Sequence, residues 1–427
     1  MWALTPYGKN VQMVVYVQFK PPLHRMKLLF VHDRFGAWAG AESNLFEVAS
    51  ALRRRGHELA LLHGASTGKS EGDWRDLFSV RFPAYNALAA QSALRQFRPT
   101  AVFMHNSPGL ETTAGLAAGS TPVVRMVHDH HLFCLRGCRY SAWSRKACTK
   151  PLSGACLFPC GGAVKRDDAG GWTLAFGAYL DKRRELELHR NFSRLIVASD
   201  YMREELLRNN FPSDKIEIHA PVPAREVEPT PETMPIAPRT RDRIVFAGQI
   251  VRGKGVDVLL ESLALVRSPF ECVVLGDGNH RAHCEALARE LGLADRVRFE
   301  GYVPAAEVAA YYRSASLAVF SSVWPEPFGL SGLEALRHGV PVVAFDVGGV
   351  REWLEDGVNG LLAPWMDRRE FALRVDTLLK TPELAKALGR QGRALAAEKF
   401  NFSSYVDGIE NLFERVAAPT SIHEVNT

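Results

Sequence analysis

Apolar and polar residues alternate along the chain in a pattern that repeats from Met26 onward. The run KLLFVHD is typical of a buried strand, and a polar, glycine-containing loop follows it. LFEVASALRRRG then carries apolar residues at helical spacing and ends at Gly56, after which ELALLHG forms a second apolar run. Strand, loop, helix and strand in this order predict a Rossmann-like opening with parallel strands.

The second half of the chain shows the same alternation more strongly. RIVFAGQI, ECVVLGDG, VRFEGYV and VPVVAF are typical of strands, whereas VDVLLESLALV, HRAHCEALARELGL and VREWLEDG have helical patterns. Between the halves lies PVPAREVEPTPETMPIAPRTRD, a proline-rich stretch without periodicity. The predicted organisation is an extension at 1–25, a first domain at 26–223, a linker at 224–241, a second domain at 242–400, and a crossover helix with tail at 401–427.

Size and composition agree with two soluble-type domains. The 427 residues exceed the roughly 250–300 at which a single core stops growing, and 47% apolar with 23% charged residues is ordinary for a globular chain. No run of about 20 apolar residues occurs, and the first 25 residues do not read as a signal peptide. We therefore expect a cytoplasmic protein. The basicity is diffuse and no nucleic-acid-binding module is present, so nucleic acid is not expected as a partner.

The segment WPEPFGLSGLE carries the clearest chemistry. Glu326 precedes a predicted helix and Glu334 is expected about two turns inside it, so the two carboxylates can reach different parts of one extended ligand. Between them, the N–H groups of Gly329, Leu330 and Ser331 would form a seat for a diphosphate at the positive end of the helix. The alternative is a surface helix whose acids only favour its first turns.

In the first domain, TAVFMHNS and PVVRMVHDHH each read as a strand with polar residues at its carboxyl end. His105, His128 and Asp129 lie at these ends, the edge at which open α/β sheets bind ligands. A lone histidine here is more often structural, but three imidazoles and a carboxylate in HDHH favour a functional role, with His128 as the candidate.

Five of the seven cysteines fall within a short segment of the first domain. Cys134 and Cys138, like Cys156 and Cys160, are separated by three residues, and Cys148 stands between the pairs. Without an export signal a metal site is favoured over disulfides, and tetrahedral zinc is the best interpretation, with one cysteine in surplus. Unligated buried thiols and disulfides remain alternatives. An all-cysteine zinc site would be structural, not catalytic.

A basic amphipathic stretch, TLAFGAYLDKRRELELHR, follows the cysteines. Its KRR, the RRR at 53–55 and a net charge of +5 predict attraction to an anionic surface such as phospholipid headgroups or a polyanionic acceptor. This interpretation would place the protein peripherally at the inner membrane surface. A solvated helix face explains the same residues.

The motifs of the second half occur in a characteristic order. FAGQIVRGKGVDVLLESL, VLGDG, VRFEGYVP, the Glu-x7-Glu segment and GVPVVAFDVGGVREWLEDGVNGLL span Val245 to Pro364 and resemble the C-terminal domain of the retaining GT-B glycosyltransferases, family 4. The resemblance implies an α/β GT-B fold, in which two Rossmann-like domains with parallel sheets face each other across a cleft. It also implies transfer of a sugar from a nucleoside diphosphate donor to an acceptor hydroxyl with retention of configuration.

The family resemblance also implies roles for individual residues. It would place Glu326 at the donor sugar near the reaction centre, Glu334 at the ribose and Lys254 at the diphosphate, with His128 facing the sugar from the other domain. A subset of the family has cysteines at positions matching the cluster of the first domain. That subset selects Cys134, Cys148, Cys156 and Cys160 as the zinc ligands and leaves Cys138 out.

Two positions depart from the family pattern. Where the family has Gly-Arg after the first strand of the donor domain, this chain has Gly248 and Gln249, so Arg252 either replaces the missing arginine or is a solvated turn residue. The family's Gly-Gly-x-Glu turn is reduced to Gly40 and Glu42. Gly40 then belongs either to the donor site or to an ordinary tight turn before a helix.

The expected reaction needs no catalytic metal, because the sequence contains no Asp-x-Asp triplet to chelate a diphosphate. Lys254 and the helix N-terminus would instead meet the leaving-group charge. The expected partners are a UDP- or GDP-linked sugar and a glycan or lipid-linked acceptor of the cell envelope. Two rivals remain, namely a nucleotide-sugar epimerase of the same fold and a non-catalytic sugar-nucleotide-binding protein.

Overall fold

The structure is a computed structural model that describes residues 25–418 except 38–39, 84, 107–108, 142–144, 159, 163, 167–171, 175 and 225–241. The predicted N-terminal extension, almost the whole linker and the final tail lie outside the described residues. So does Ala39 of the glycine turn.

The first domain is built on a parallel sheet whose strands are each followed by a helix or turn. Its elements in chain order are β1 (Lys27–Phe35), α1 (Gly40–Arg54), β2 (Glu58–Ser66), α2 (Glu71–Leu77), β3 (Val80–Phe82), α3 (Ala87–Phe97), β4 (Ala101–Met104), α4 (Leu110–Ala117), β5 (Val123–Val127), the antiparallel pair β6 (Val164–Arg166) and β7 (Trp172–Leu174), α5 (Phe176–Arg190), β8 (Arg194–Val197), α6 (Asp200–Arg208) and β9 (Ile216–Ile218).

The order of this sheet fixes where a ligand can bind. The seven strands lie in the order β3-β2-β1-β4-β5-β8-β9. The chain runs outward from β1 to β3 and then returns to place β4 on the other side of β1. Open parallel sheets bind ligands outside the carboxyl ends of the two strands at such a reversal. The loops after β1 and β4 therefore bound the expected site.

The second domain repeats this arrangement. Its elements are β10 (Arg243–Ala247), α7 (Val256–Leu263), β11 (Glu271–Leu275), α8 (Arg281–Glu290), β12 (Val297–Gly301), α9 (Ala305–Ser314), β13 (Leu317–Phe320), α10 (Leu330–Arg337), β14 (Val342–Phe345), β15 (Gly360–Ala363), α11 (Arg368–Lys380) and α12 (Pro382–Lys399). The sheet order is β12-β11-β10-β13-β14-β15, so the reversal lies between β10 and β13. The helix predicted over VREWLEDG is wrong, because only a short 3₁₀ segment, Gly348–Glu352, forms there.

The last described helix, α13 (Phe402–Ala417), packs against the first domain. The Phe413 ring meets the Phe103 ring of β4 edge to face at 5.1 Å, and the Tyr405 hydroxyl is hydrogen-bonded to the Asn44 side chain. The buried Arg55 forms ion pairs with Asp407, which is exposed, and with Glu410 of this helix. The last described helix thus contributes to the core of the first domain. Among the described helices, none is long and apolar enough to cross a membrane.

Candidate active site in the cleft between the domains

The two sheet reversals face each other across the domain boundary. The Ser199 hydroxyl at the start of α6 donates a hydrogen bond to the Pro327 carbonyl at 2.5 Å. Gly40 at the start of α1 lies beside Leu330, since a Cβ atom added to it would stand 4.0 Å from Leu330 Cδ1. The glycine turn after β1 and the helix after β13 therefore form opposite walls of one cleft.

Glu326 is the centre of a hydrogen-bonded cluster on the donor-domain wall. Its Oε1 accepts from Lys254 Nζ at 2.6 Å, from Trp324 Nε1 at 2.6 Å, and from the Ser322 hydroxyl. Glu326 is only 4% exposed. Glu326 does precede the helix as expected, but these three donors fold its carboxylate inward.

The environment keeps this carboxylate charged. Burial by itself would raise the pKa of Glu326, but the Lys254 ammonium and the hydrogen bonds from Lys254 and Ser322 outweigh it and lower the pKa below its usual value. Lys254 also lies 5.5 Å from the centre of the Trp324 ring. Its side chain remains 22% exposed, so the ammonium can reach a ligand in the cleft.

The backbone of Glu326 is held by the glycines after β14. Gly348 has φ +60°, and a Cβ atom on it would come within 2.4 Å of the Glu326 nitrogen. The next residue, Gly349, donates its N–H to the Glu326 carbonyl at 2.7 Å. Glycine at these positions lets two loops from different strand ends touch, and this contact fixes where the carboxylate stands.

The N-terminus of α10 opens beside this cluster. Gly329 precedes the helix with φ +97°, and a Cβ atom there would collide with the Phe320 ring at 2.7 Å. Leu330 and Ser331 occupy the first turn, where backbone N–H groups have no intrahelical acceptor. Glu334 is partly exposed and lies little more than one turn inside the helix, not the two turns expected. An anion could bind at these N–H groups.

The turn after β10 supplies the basic residues. Arg252–Lys254 forms one 3₁₀ turn, and the Gly253 carbonyl accepts from the N–H groups of Val323 and Trp324 at 2.9 and 3.1 Å. This contact directs Lys254 toward Glu326. Arg252 is exposed at the rim, close enough to Tyr140 of the first domain to affect its pKa. Lys254 is therefore placed inside the site and Arg252 at its edge.

On the opposite wall, His128 is paired with another imidazole. His105 Nδ1 and His128 Nε2 are 2.9 Å apart and the rings stack at 5.1 Å. Burial, reinforced by the Arg125 guanidinium, lowers the pKa of His128 to about 3, and burial lowers the pKa of His105 far below its usual value. Both rings are uncharged at neutral pH, so His128 can exchange hydrogen bonds but cannot act as a cationic acid.

A second histidine of HDHH is also part of this wall. His130 is 1% exposed, its Nε2 lies 3.1 Å from the Tyr201 hydroxyl, and it is close enough to Glu326 for their charges to interact. Burial lowers the pKa of His130 to about 4 despite the opposing effect of Asp129. The sequence pointed to His130 because it lies in the HDHH motif, two residues after His128. Nothing in the sequence signalled Tyr201, 71 residues away.

Several buried polar atoms near these histidines have no hydrogen-bond partner among the described residues. They are the Nε2 atoms of His32 and His105 and the Nε and Nη1 atoms of Arg125. Arg125 is 4% exposed, and its charge is balanced at a distance by Glu185 and Asp129. Buried polar groups are normally hydrogen-bonded, so these atoms are available to form hydrogen bonds with a ligand in the cleft.

The cysteine segment lies beside the same cleft. All five of its thiols are free, and the Arg145 guanidinium of this segment forms an ion pair with Asp257 of the donor domain at 2.5 Å. Among the described residues, sets of three potential metal ligands within 4.8 Å occur at Asp257, His280 and His283 and at His32, Asp33 and Glu42. The cysteine sulfurs do not form so tight a set in this structure.

Comparison with known proteins agrees with this architecture. Residues 38–221 match the profile described as Glycosyltransferase Family 4, and residues 235–395 match Glycosyl transferases group 1. D-inositol 3-phosphate glycosyltransferase of Frankia alni is 35% identical over 43% of this chain and 48% of that protein. Alpha-D-kanosaminyltransferase of Streptomyces kanamyceticus is 31% identical over 41% and 46%, respectively. The match thus spans about half the length of these curated relatives.

Solved structures extend the likeness to nearly the whole chain. The Anabaena protein HepE in complex with UDP and glucose superposes with a TM-score of 0.65 at 18% identity, covering 92% of this chain and 100% of that one. The lipopolysaccharide outer core galactosyltransferase WaaB gives a TM-score of 0.67 at 15% identity, covering 91% and 100%. These identities show a shared fold, and the fold expected from the sequence is confirmed. The chain belongs to the family 4, group 1 glycosyltransferases of GT-B fold.

Proposed function

We propose that this protein transfers a sugar from a UDP- or GDP-linked donor to an acceptor hydroxyl and retains the anomeric configuration. The observation that carries the proposal is the buried Lys254–Glu326 ion pair beside the open N-terminus of α10, opposite the histidines of the other domain. A cation, a helix N-terminus and a fixed carboxylate in one cleft suit a ligand that is part diphosphate and part sugar.

The donor would lie along the α10 side of the cleft. Its diphosphate accepts hydrogen bonds from the N–H groups of Leu330 and Ser331 and from Lys254, while Glu334 holds the ribose. Glu326 then accepts from a sugar hydroxyl in place of part of its present bonding to Lys254. The Anabaena neighbour was solved with UDP and glucose, which supports a nucleotide-linked donor for this fold.

The proposed chemical step is a front-face transfer. The departing phosphate oxygen takes the proton of the acceptor hydroxyl, so that the new glycosidic bond forms on the face from which the diphosphate leaves. Glu326 and the uncharged His128 orient sugar hydroxyls and form no covalent adduct. Lys254 and the α10 N-terminus stabilise the developing negative charge, so no catalytic metal is required.

The acceptor would be a glycan or lipid-linked molecule of the cell envelope. On α5, Leu180 is 56% exposed and the neighbouring Arg183 and Arg184 are also exposed. An exposed apolar side chain followed by cations suits weak contact with an anionic bilayer. We include peripheral membrane association in the proposal on this basis. Co-sedimentation with vesicles that contain or lack anionic lipid, compared for wild type and Arg183→Glu/Arg184→Glu, would test it.

A donor screen tests the reaction itself. UDP- and GDP-linked hexoses are incubated with candidate acceptors, nucleoside diphosphate release is followed, and the anomeric configuration of the product is read by NMR. Transfer with retention supports the proposal. An inverted product contradicts the retaining step. A rearranged nucleotide sugar formed without acceptor would instead show an epimerase, and no turnover with any donor would favour a binding protein.

A further inference from the structure

A pair of histidines lies at the start of α8, next to the first turn of α7. His280 comes directly before α8 and His283 is in its first turn, so the two are three residues apart and lie on one side of the helix. Their rings stack with centroids 4.6 Å apart. In the first turn of α7, Asp257 places its Oδ2 atom 3.6 Å from His280 Nε2. Two imidazoles and one carboxylate therefore meet between these helices.

Backbone contacts hold the two helix starts together. His280 donates its N–H to the Ile250 carbonyl at 3.0 Å, and Ile250 donates to the Asp277 carbonyl at 2.9 Å. A Cβ atom on Gly278 would come within 2.4 Å of the Ile250 carbonyl oxygen, so only glycine allows this close approach. The turn after β10 that leads into α7 thus fixes the position of the turn that leads into α8.

Two buried atoms at this place have no hydrogen-bond partner among the described residues. They are His280 Nε2 and Asp257 Oδ1. Asp257 is only 7% exposed, and buried polar atoms are normally hydrogen-bonded. A neutral imidazole nitrogen and a carboxylate oxygen can both supply a lone pair to a metal ion, so the two atoms indicate a cation as the ligand.

The geometry suits a small tetrahedral ion. Ligand atoms of Asp257, His280 and His283 all lie within 4.8 Å of one another. Bonds of about 2.0–2.2 Å to zinc at a tetrahedral angle separate two ligand atoms by about 3.4 Å, close to the 3.6 Å between His280 Nε2 and Asp257 Oδ2. Burial lowers the pKa of His280 despite the opposing effect of Asp257, which favours the uncharged imidazole that binds metals.

The carboxylate oxygen nearest His280 is already paired with a residue of the other domain. Arg145 Nη2 lies 2.5 Å from Asp257 Oδ2, and the two side chains are only 13% and 10% exposed. This ion pair joins the first domain to the start of α7. Because like charges repel strongly where little water screens them, the carboxylate cannot hold a divalent ion and the guanidinium at full strength together.

We propose that Asp257, His280 and His283 bind one divalent ion of the zinc class in exchange for the Arg145 ion pair. Imidazole ligands favour such an ion over Mg²⁺ or Ca²⁺, and water would take the fourth position. Without the ion, Arg145 links the two domains. With the ion, the carboxylate binds beside the histidines and this link is lost. The site takes no part in the transfer step, but it makes one contact between the domains sensitive to metal.

A Co²⁺ titration of the full chain, freed of metal by a chelator, tests the ligand set. Wild type should bind one Co²⁺ at micromolar concentration, with the visible d–d bands of nitrogen and oxygen ligands. His280→Ala and His283→Ala should each bind it at least about tenfold more weakly, since loss of even an outer-shell partner usually costs about 10- to 100-fold.

His219→Ala is the matched control for these variants. The His219 side chain is 19% exposed, against 20% for His280, and it also lies close to one carboxylate, that of Glu217 at 3.4 Å. This variant should keep the affinity of wild type. Binding at the thiols of the cysteine segment would show strong near-ultraviolet charge-transfer absorption, which nitrogen and oxygen ligands lack. Charge-transfer absorption alone, or equal d–d bands in wild type and His280→Ala, overturns the proposal.

Arg145→Ala tests the exchange. Removal of the guanidinium should tighten Co²⁺ binding roughly tenfold or more, because a competing cation leaves a site with little solvent screening. Arg298→Ala, which removes an arginine that is 54% exposed and paired with Glu271 and Glu300, should leave the affinity unchanged. Equal or weaker binding by Arg145→Ala overturns the exchange. Thermal unfolding shows that each variant is folded, and none of these measurements depends on glycosyl transfer.

Discussion

The two walls of the cleft differ in how far their polar groups are already satisfied. On the donor-domain wall, Glu326 accepts hydrogen bonds from three side chains and its backbone is held by the glycines after β14. On the opposite wall, His105 and Arg125 keep buried nitrogen atoms without partners among the described residues. The donor-domain wall thus holds its carboxylate by contacts within the protein, whereas the other wall keeps buried nitrogen atoms that can still bond to a ligand.

Breaking the donor wall should have the largest effect. Glu326→Gln keeps the size of the side chain but removes the charge that faces Lys254, so kcat should fall on the order of 10²-fold or more if this carboxylate acts in the transition state. Glu307→Gln, an exposed residue of α9, is the matched control. Steady-state kinetics and thermal unfolding of both variants provide the measurement.

The size of the replacement at Glu326 decides how much the fold is affected. A position before the helix would let Glu326→Ala leave the fold intact, but the residue is buried and its carboxylate accepts a hydrogen bond from Lys254. Loss of stability is therefore expected for the alanine variant, and a smaller loss for the glutamine variant, whose amide oxygen can still accept the hydrogen bonds. Unchanged kcat in Glu326→Gln, with the fold intact, would remove Glu326 from the mechanism.

The next effect concerns donor affinity. Lys254→Ala removes a charge-assisted hydrogen bond worth about 1.5–3 kcal/mol, so KM for the donor should rise roughly 10- to 150-fold. Lys386→Ala, which removes a lysine that is 51% exposed and paired with Glu383, should leave KM unchanged. Equal KM values in both variants would mean that the diphosphate is bound elsewhere.

The opposite wall should be sensitive to acid. The pKa of His130 is lowered to about 4 in the folded protein and is near 6.5 in the unfolded chain. The unfolded chain therefore binds the proton first, and stability is lost as pH falls from about 6.5 toward 4. At pH 5 this histidine costs on the order of 2 kcal/mol relative to neutral pH.

Denaturant unfolding at pH 7 and pH 5 measures this cost. His130→Asn should unfold with a smaller difference between the two pH values than wild type. An unaltered difference would show that His130 is not a buried neutral group. The two walls would then no longer differ in the way that a buried neutral histidine predicts.

The smallest effect is expected from chelation. Brief EDTA treatment, which strips loosely held Mg²⁺ or Mn²⁺, should leave the rate within experimental scatter if Lys254 and the α10 N-terminus meet the diphosphate charge as proposed. Recovery of lost activity only after Mn²⁺ is added would show that a metal ion shares that task. The measurement shows whether the donor-domain wall can neutralise the diphosphate without an ion.

The sequence predicted most of the donor wall because its residues are close together in the chain. One short segment contains Glu326, the start of α10 and Glu334, and the alternation of strands and helices predicted the parallel sheet that carries it. Contacts between segments that are far apart in the chain produce no local sequence pattern, so they could not be predicted. Ser199 meets Pro327 across 128 residues and Arg145 meets Asp257 across 112.

The burial of Glu326 was missed for a similar reason. It depends on glycines after β14 and on Lys254 after β10, which come together only when both sheets have formed. The pattern around Glu326 is that of a loop, and a loop is normally exposed. Packing between loops, not the local pattern, buries this carboxylate.

The return of α13 to the first domain has a consequence for synthesis on the ribosome. The acids that neutralise buried Arg55, and the Phe413 ring that covers Phe103, are made only after the whole donor domain has emerged. At about 5–20 residues per second, the first domain waits on the order of ten seconds or more with this apolar face uncovered. The nascent chain therefore offers a binding face for chaperones that disappears on completion, and premature release of the chain would leave that face open to aggregation.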